Sequence, residues 1–348
     1  MFEKEMPVTI MNSTRFAAVL ATGLLLAFDG AHADTLTLKS NRVASGGATS
    51  ATLTLDQAPR VRTVYNVALS GTNAAQAQSR LDVLAGQTRV EFPVTTAPAG
   101  IEQFVDILVT EAASGRVAGR TRLVVSPPAL QAFSLNKSAV VGGTPGSAVT
   151  GTVTLDGQAA GHGLTVPLGL SCSNQGCPVQ EWLFPASVVI PSGSRSATFN
   201  FQPPVLTNPT QVTIVASLGS TAKSATLPAD ILRPQSVLVS PATISGAQAA
   251  TVTVTLNAPA YANYLVRLTC GNHLLSTHLL LTSPEITKPC PRLTSFETAI
   301  RVKFPAGQSA WTFQLSTPEP PSAPTPAIVI VSNSDTNESA QATLAVAP

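Results

Sequence analysis

The chain has 348 residues, of which 11 % are charged, less than half of the roughly 25 % found in ordinary soluble domains. Its formal charge is +2, with Lys and Arg scattered among Asp and Glu. Such a balance excludes a nucleic-acid face, which needs clustered basic side chains.

Taken in order, the chain opens with Arg15, an apolar run over residues 16–28, and the small-x-small sequence Ala31-His32-Ala33. That order of charged, apolar and cleavage regions predicts a secretory signal peptide over residues 1–33. The apolar run is short for a membrane span, which needs about 20 residues. Cleavage after Ala33 would leave a mature chain with no integral membrane segment. The first residues, with Glu3, Lys4 and Glu5, make a poor signal start, and Met11 is the better initiator.

Two landmarks then recur along the rest of the chain. The first is Thr52-Leu53-Thr54-Leu55-Asp56, matched by Thr152-Val153-Thr154-Leu155-Asp156 and Thr253-Val254-Thr255-Leu256-Asn257. Alternation of Thr with an aliphatic residue is the period-two pattern of a half-buried strand, and Asp or Asn stops it. The second landmark is a Gly followed six positions later by a Phe, at Gly86 and Phe92, Gly193 and Phe199, Gly307 and Phe313. It predicts a turn that needs a left-handed residue, then a strand. The copies lie about a hundred residues apart, too far for a solenoid unit and right for a β-sandwich that closes its own core. The expected fold is all-β, three tandem antiparallel sandwiches: domain 1 over residues 34–127, domain 2 over 128–234 and domain 3 over 235–348. Short joints at Ser126-Pro127-Pro128-Ala129 and Leu232-Arg233-Pro234-Gln235 predict a semi-rigid rod.

Domain 1 has no Cys and no His. In domain 2, Cys172 ends a strand and Cys177 follows; in domain 3, Cys270 ends the matching strand and Cys290 comes later. One disulfide in each domain, Cys172 to Cys177 and Cys270 to Cys290, is the expectation for an exported chain. The segment between this strand and the Gly-to-Phe turn lengthens from the first copy to the third, and in domain 3 forms an insertion over residues 272–296. Length variation on a fixed scaffold marks a loop, and loops at sandwich ends carry binding. His273, His278, Leu279 and Leu280 are the candidate binding-loop residues.

Cys270, His273, His278 and Cys290 are also zinc-ligand types, but their spacing fits no familiar finger and thiolates compete poorly with oxidation outside the cell. Asn333, Asp335 and Asn337 lack the Gly and bidentate Glu of an EF-hand loop and fit a hairpin turn. Ser134 with Lys137 and Ser220 with Lys223 match a Ser-x-x-Lys string, yet in a strand residues i and i+3 project to opposite faces. No catalytic residue, metal or cofactor is therefore assigned, and the chain is expected not to be an enzyme.

The runs over residues 135–143, 151–157, 185–193 and 196–199 resemble the bacterial immunoglobulin-like repeats of surface and secreted proteins. The resemblance is closest in domain 2, visible in domain 3 and faint in domain 1. It implies a non-enzymatic exported protein acting in adhesion or binding at the cell envelope, with a protein or glycan partner and a secreted or cell-surface location. A structural periplasmic or envelope-assembly protein, or an accessory binding subunit of an exported hydrolase, is the alternative.

Overall fold

The computed structural model describes residues 33–173, 179–245, 247–270, 279–284, 286–290, 299–319, 321–336 and 338–348. The expected signal peptide lies outside them except for Ala33.

The first sandwich is built from β1 (Thr35–Leu38), β2 (Arg42–Ala44), β3 (Ala48–Thr54), β4 (Thr63–Gly71), β5 (Ala75–Ala77), β6 (Arg80–Val83), β7 (Arg89–Thr96), β8 (Gln103–Glu111) and β9 (Val117–Ser126). One sheet has the order β1-β3-β7-β5 and the facing sheet β2-β9-β8-β4-β6. The alternation does what its period requires: Leu53 and Leu55 are buried, and they share a core with Phe92, Val105, Ile107 and Leu123. Each fully buried side chain of this kind contributes about 1.5–3 kcal/mol. β2 pairs parallel with β9 while β1 pairs antiparallel with β3. The first strand thus changes sheets and closes one side of the sandwich.

The second sandwich repeats this with β10 (Leu130–Leu135), β11 (Val140–Val141), β12 (Val149–Leu155), β13 (Leu164–Cys172), β14 (Ser187–Ile190), β15 (Ser196–Phe201), β16 (Thr210–Leu218) and β17 (Thr221–Asp230). Its sheets are β10-β12-β15 and β11-β17-β16-β13-β14. A short 3-10 turn at Val179–Glu181 lies between β13 and β14. Gly151 faces Phe199 across the sheet, and a Cβ there would stand 2.4 Å from the Phe199 ring. Its bareness makes room for a cluster in which Phe199 stacks on Phe133 and meets Phe184 edge-on.

The third sandwich comprises β18 (Pro234–Ser240), β19 (Thr243–Ser245), β20 (Ala249–Leu256), β21 (Leu265–Cys270), β22 (Leu280–Thr282), β23 (Thr287–Pro289), β24 (Ile300–Lys303), β25 (Ala310–Ser316), β26 (Thr325–Asn333) and β27 (Ser339–Ala347). Its sheets are β18-β20-β25-β22-β23 and β19-β27-β26-β21-β24.

The landmarks now have physical roles. Gly86, Gly193 and Gly307 all have positive φ, at 83°, 77° and 76°, a region that L-residues with a Cβ rarely adopt. Their N–H groups donate to the carbonyls of Pro59, Ala159 and Ala260, the same bond three times over. The residue ending the first landmark is a clip. Asp156 accepts from the Ala129 N–H at 2.7 Å and returns its own N–H to the Ala129 carbonyl at 3.0 Å. Asn257 does the same with Arg233, at 3.0 and 3.1 Å. In the first copy the Asp56 N–H instead meets the Asp34 side chain at 3.0 Å.

Candidate binding surface and interdomain joints

The segment following β4, β13 and β21 crosses from one sheet to the other. In the first sandwich it adds β5 to the edge of β7, and in the third it adds the β22–β23 pair to the edge of β25. In the second it contributes Trp182 and Phe184, which pack on Phe201.

This crossing contains the candidate binding residues. Cys270 and Cys290 are joined in a disulfide with their Cα atoms 5.6 Å apart, so neither offers a thiolate to zinc. Cys172 is also disulfide-bonded, whereas Cys177 lies outside the described residues, as do His273 and His278. Leu279 is buried in the core, and its carbonyl accepts from the Cys290 N–H at 2.7 Å. Leu280 is half-buried on β22 and pairs with Pro289 and Ser316. Leu279 therefore supports the hairpin from below instead of facing a ligand. Beside the hairpin lies a concavity of about 390 Å³ lined by Thr251, Thr282, Ser283, Thr312 and Gln314. Sequence reasoning missed it because its lining residues come from three strands and a turn.

The joints were legible only as prolines. At the first, the buried Ser45 hydroxyl donates to the Gln158 carbonyl at 2.5 Å, and the Gln158 N–H donates to the Ser45 carbonyl at 2.7 Å. The Arg195 guanidinium donates to the Gly46 carbonyl at 3.1 Å. At the second, the Leu232 carbonyl accepts from both the Tyr264 hydroxyl at 3.2 Å and the Asn333 side-chain amide at 2.8 Å. Asn257 donates to the Ile231 carbonyl at 2.9 Å, and Arg233 pairs with Asp230 at 3.1 Å. Ile231 belongs to the core of the second sandwich and Leu232 to that of the third.

Asn333 is thus a joint residue, and its Oδ1 also accepts from the Asp335 N–H at 2.8 Å. Both ends of its amide are occupied within the protein, which leaves no place for it as a calcium ligand; Asn337 lies outside the described residues. Burial pushes the Tyr264 phenol up from its ordinary value, helped by Tyr261 and Asp335 nearby. Ser134 sits on β10, and the Lys137 ammonium donates to the Gly146 carbonyl. Among the described residues no group of three or more His, Cys, Asp and Glu side chains converges, and no helix is long and apolar enough to cross a membrane.

Strand order, the divided first strand and a closed two-sheet core define the chain as a tandem of immunoglobulin-like sandwiches. No family model matches it and no curated protein does. Among solved structures it is similar to FdeC, an Escherichia coli adhesin, at 14 % identity over 91 % of this chain and 97 % of that one, with a TM-score of 0.28. It is also similar to the D0-D1 domain of intimin, at 16 % identity over 63 % of this chain and 99 % of that one, with a TM-score of 0.22. Domains A168-A170 of titin match at 10 % identity over 90 % and 98 %, with a TM-score of 0.31. Likeness at this level adds nothing to the strand order about ligands.

Proposed function

We propose that the protein is a non-enzymatic, exported immunoglobulin-like repeat protein that acts in adhesion or binding at the bacterial cell envelope. The observation that carries this reading is the construction of the joints. Hydrogen bonds link the first sandwich to the second, and hydrogen bonds together with the core residues Ile231 and Leu232 link the second to the third, which suits a stiff arm that holds a binding surface at a distance. The surface we assign is the β22–β23 hairpin with its adjoining concavity, on the sandwich farthest along the chain. Thr251, Thr282, Ser283, Thr312 and Gln314 supply hydroxyl and amide groups, the chemistry that recognises a glycan or a polar protein loop.

The test is digestion of intact cells by added protease. Degradation of this protein with a periplasmic control intact is the expected result. Survival until the outer membrane is opened would overturn the surface location and leave a periplasmic binding or assembly role. Stiffness is tested separately by X-ray scattering. A compact globule of this length has a radius of gyration of about 20 Å, and a value near that would end the stiff-arm model.

A further inference from the structure

The three sandwiches guard the edge of the same strand differently. In β15 no strand among the described residues guards it. Leu155 donates to the Arg195 carbonyl at 2.7 Å, and the register continues through Val153 with Ala197, Gly151 with Phe199 and Val149 with Phe201. Antiparallel pairing uses the backbone of alternate residues. Ala197, Phe199 and Phe201 therefore spend their N–H and C=O groups on β12, and Ser196, Thr198 and Asn200 turn theirs to the opposite side. All three are exposed, and in the sheet order β10-β12-β15 no strand follows.

The equivalent residues in β7 are Arg89, Glu91 and Pro93, counted from the shared Phe of the second landmark. Charge and proline are the usual blocks to edge pairing, and β5 covers the next outward residue, Thr95. In β25 the outward residues Gln314 and Ser316 are covered by β22, which leaves only Ala310 and Thr312 of that edge outside the pairing. The second sandwich fills this flank with the side chains of Trp182 and Phe184 instead of a strand. Among the described residues its core is closed while its backbone edge stays open, without charge and without proline.

We propose that the free edge of β15 pairs antiparallel with the same edge of a second copy of this chain, about a two-fold axis through Thr198. The edge is self-complementary. Thr198 meets its own counterpart and Ser196 meets Asn200, all small, uncharged and able to hydrogen-bond, so no like charges face each other. Three hydrogen-bonded residue pairs give about six backbone hydrogen bonds, and the two three-stranded sheets become one continuous sheet. An unrelated strand would require no such symmetry in Ser196, Thr198 and Asn200. One strand pair is a small contact beside the roughly 800 Å² per partner of a stable complex. The association is therefore weak in dilute solution and effective where copies are crowded together. This inference does not depend on the proposed adhesive role.

The experiment is sedimentation velocity of the full mature chain from micromolar to millimolar concentration, with the double variant Thr198→Glu, Asn200→Pro alongside. The variant copies Glu91 and Pro93, and neither residue gives its N–H to β12; only the exposed bond from the Thr150 hydroxyl to the Asn200 side chain, 2.7 Å, is lost, so its melting curve should fall by no more than a few degrees. A concentration-dependent dimer in the parent, weakened about tenfold or more in the variant, is expected because a two-fold contact counts each change twice. Thr198→Cys provides the geometric check, since no cysteine among the described residues is free. It should form a disulfide-linked dimer faster than Thr152→Cys, which sits opposite Thr198 but one strand further in. A parent that stays monomeric throughout, an unaffected dimer in the double variant, or equal cross-linking of the two cysteine variants would each overturn the proposal.

Discussion

The two joints achieve the same end with opposite materials. At the first, the linker residues 127–129 lie at the surface or half-buried, and contact is made where one backbone lies against another, Ser45 and Gly46 against Gly157 and Gln158. At the second, linker residues Ile231 and Leu232 are themselves core, and side chains from the third sandwich close on their carbonyls. The first depends on the bareness of Gly157, which lets the backbones meet and brings the Ser45 hydroxyl and the Arg195 guanidinium into reach, and the second on the side chains of Asn257, Tyr264 and Asn333. They should therefore fail to opposite kinds of substitution.

The largest effect is expected at Asn333, which is 5 % exposed. Asn333→Leu keeps the branching of the side chain but removes the donor to the Leu232 carbonyl, which is left with the Tyr264 hydroxyl alone, and the acceptor for the Asp335 N–H, while adding bulk at a buried position. We expect a loss of about 3 kcal/mol from the third sandwich, seen as a lower melting transition, together with faster hydrogen exchange at the Asp335 amide. Full retention of both would show that the second joint does not rest on this amide. Next is Gly157→Ala, whose Cβ would stand 2.7 Å from the Ser45 carbonyl oxygen. Backbone cannot yield as a side-chain tip does, so the joint must open, at about 1–3 kcal/mol. Exchange at the Gln158 amide should rise while the core amides of both neighbouring sandwiches stay protected. Protection lost throughout the second sandwich would mean that Gly157 serves that domain's own fold.

Much of this architecture was legible in the residues themselves. Thr152 to Leu155 alternate because one face of β12 is buried, and Gly193 takes a conformation that a Cβ would strain, so both patterns survive in the text of the chain. Asp156 and Asn257 were visible as strand stops, but their bonds to the linker were not, since a clip depends on where residue 129 or 233 is held. Asn333 was legible only as part of a turn. Its partner Leu232 is 101 positions away, and no local period encodes such a contact. The concavity beside β22 and the open edge of β15 escaped for a related reason. Each is defined by which strands lie next to one another, and the difference between β7, β15 and β25 appears only once register assigns Glu91, Thr198 and Thr312 to the same place.

The smallest effect sharpens the comparison through pH. Tyr264 is 1 % exposed and donates to the carbonyl that Asn333 also holds. Its phenol titrates above the ordinary 10.0 in the folded chain because burial disfavours the phenolate. A group whose folded pKa is raised gives stability that is complete below the unfolded value and is lost as pH climbs from it towards the folded one. The third sandwich should hold its melting temperature up to about pH 10 and weaken beyond it. Tyr264→Phe should cost about 1 kcal/mol at neutral pH for the lost hydrogen bond, and the alkaline decline should become shallower. Tyr65 and Tyr261 are shifted the same way, by burial first, so some decline should remain. The first joint has no tyrosine, and exchange at the Gln158 amide should follow only the ordinary base dependence over the same range. An alkaline slope in Tyr264→Phe equal to that of the parent would assign the loss to the other two tyrosines and leave the second joint with Asn333 as its pH-insensitive lock.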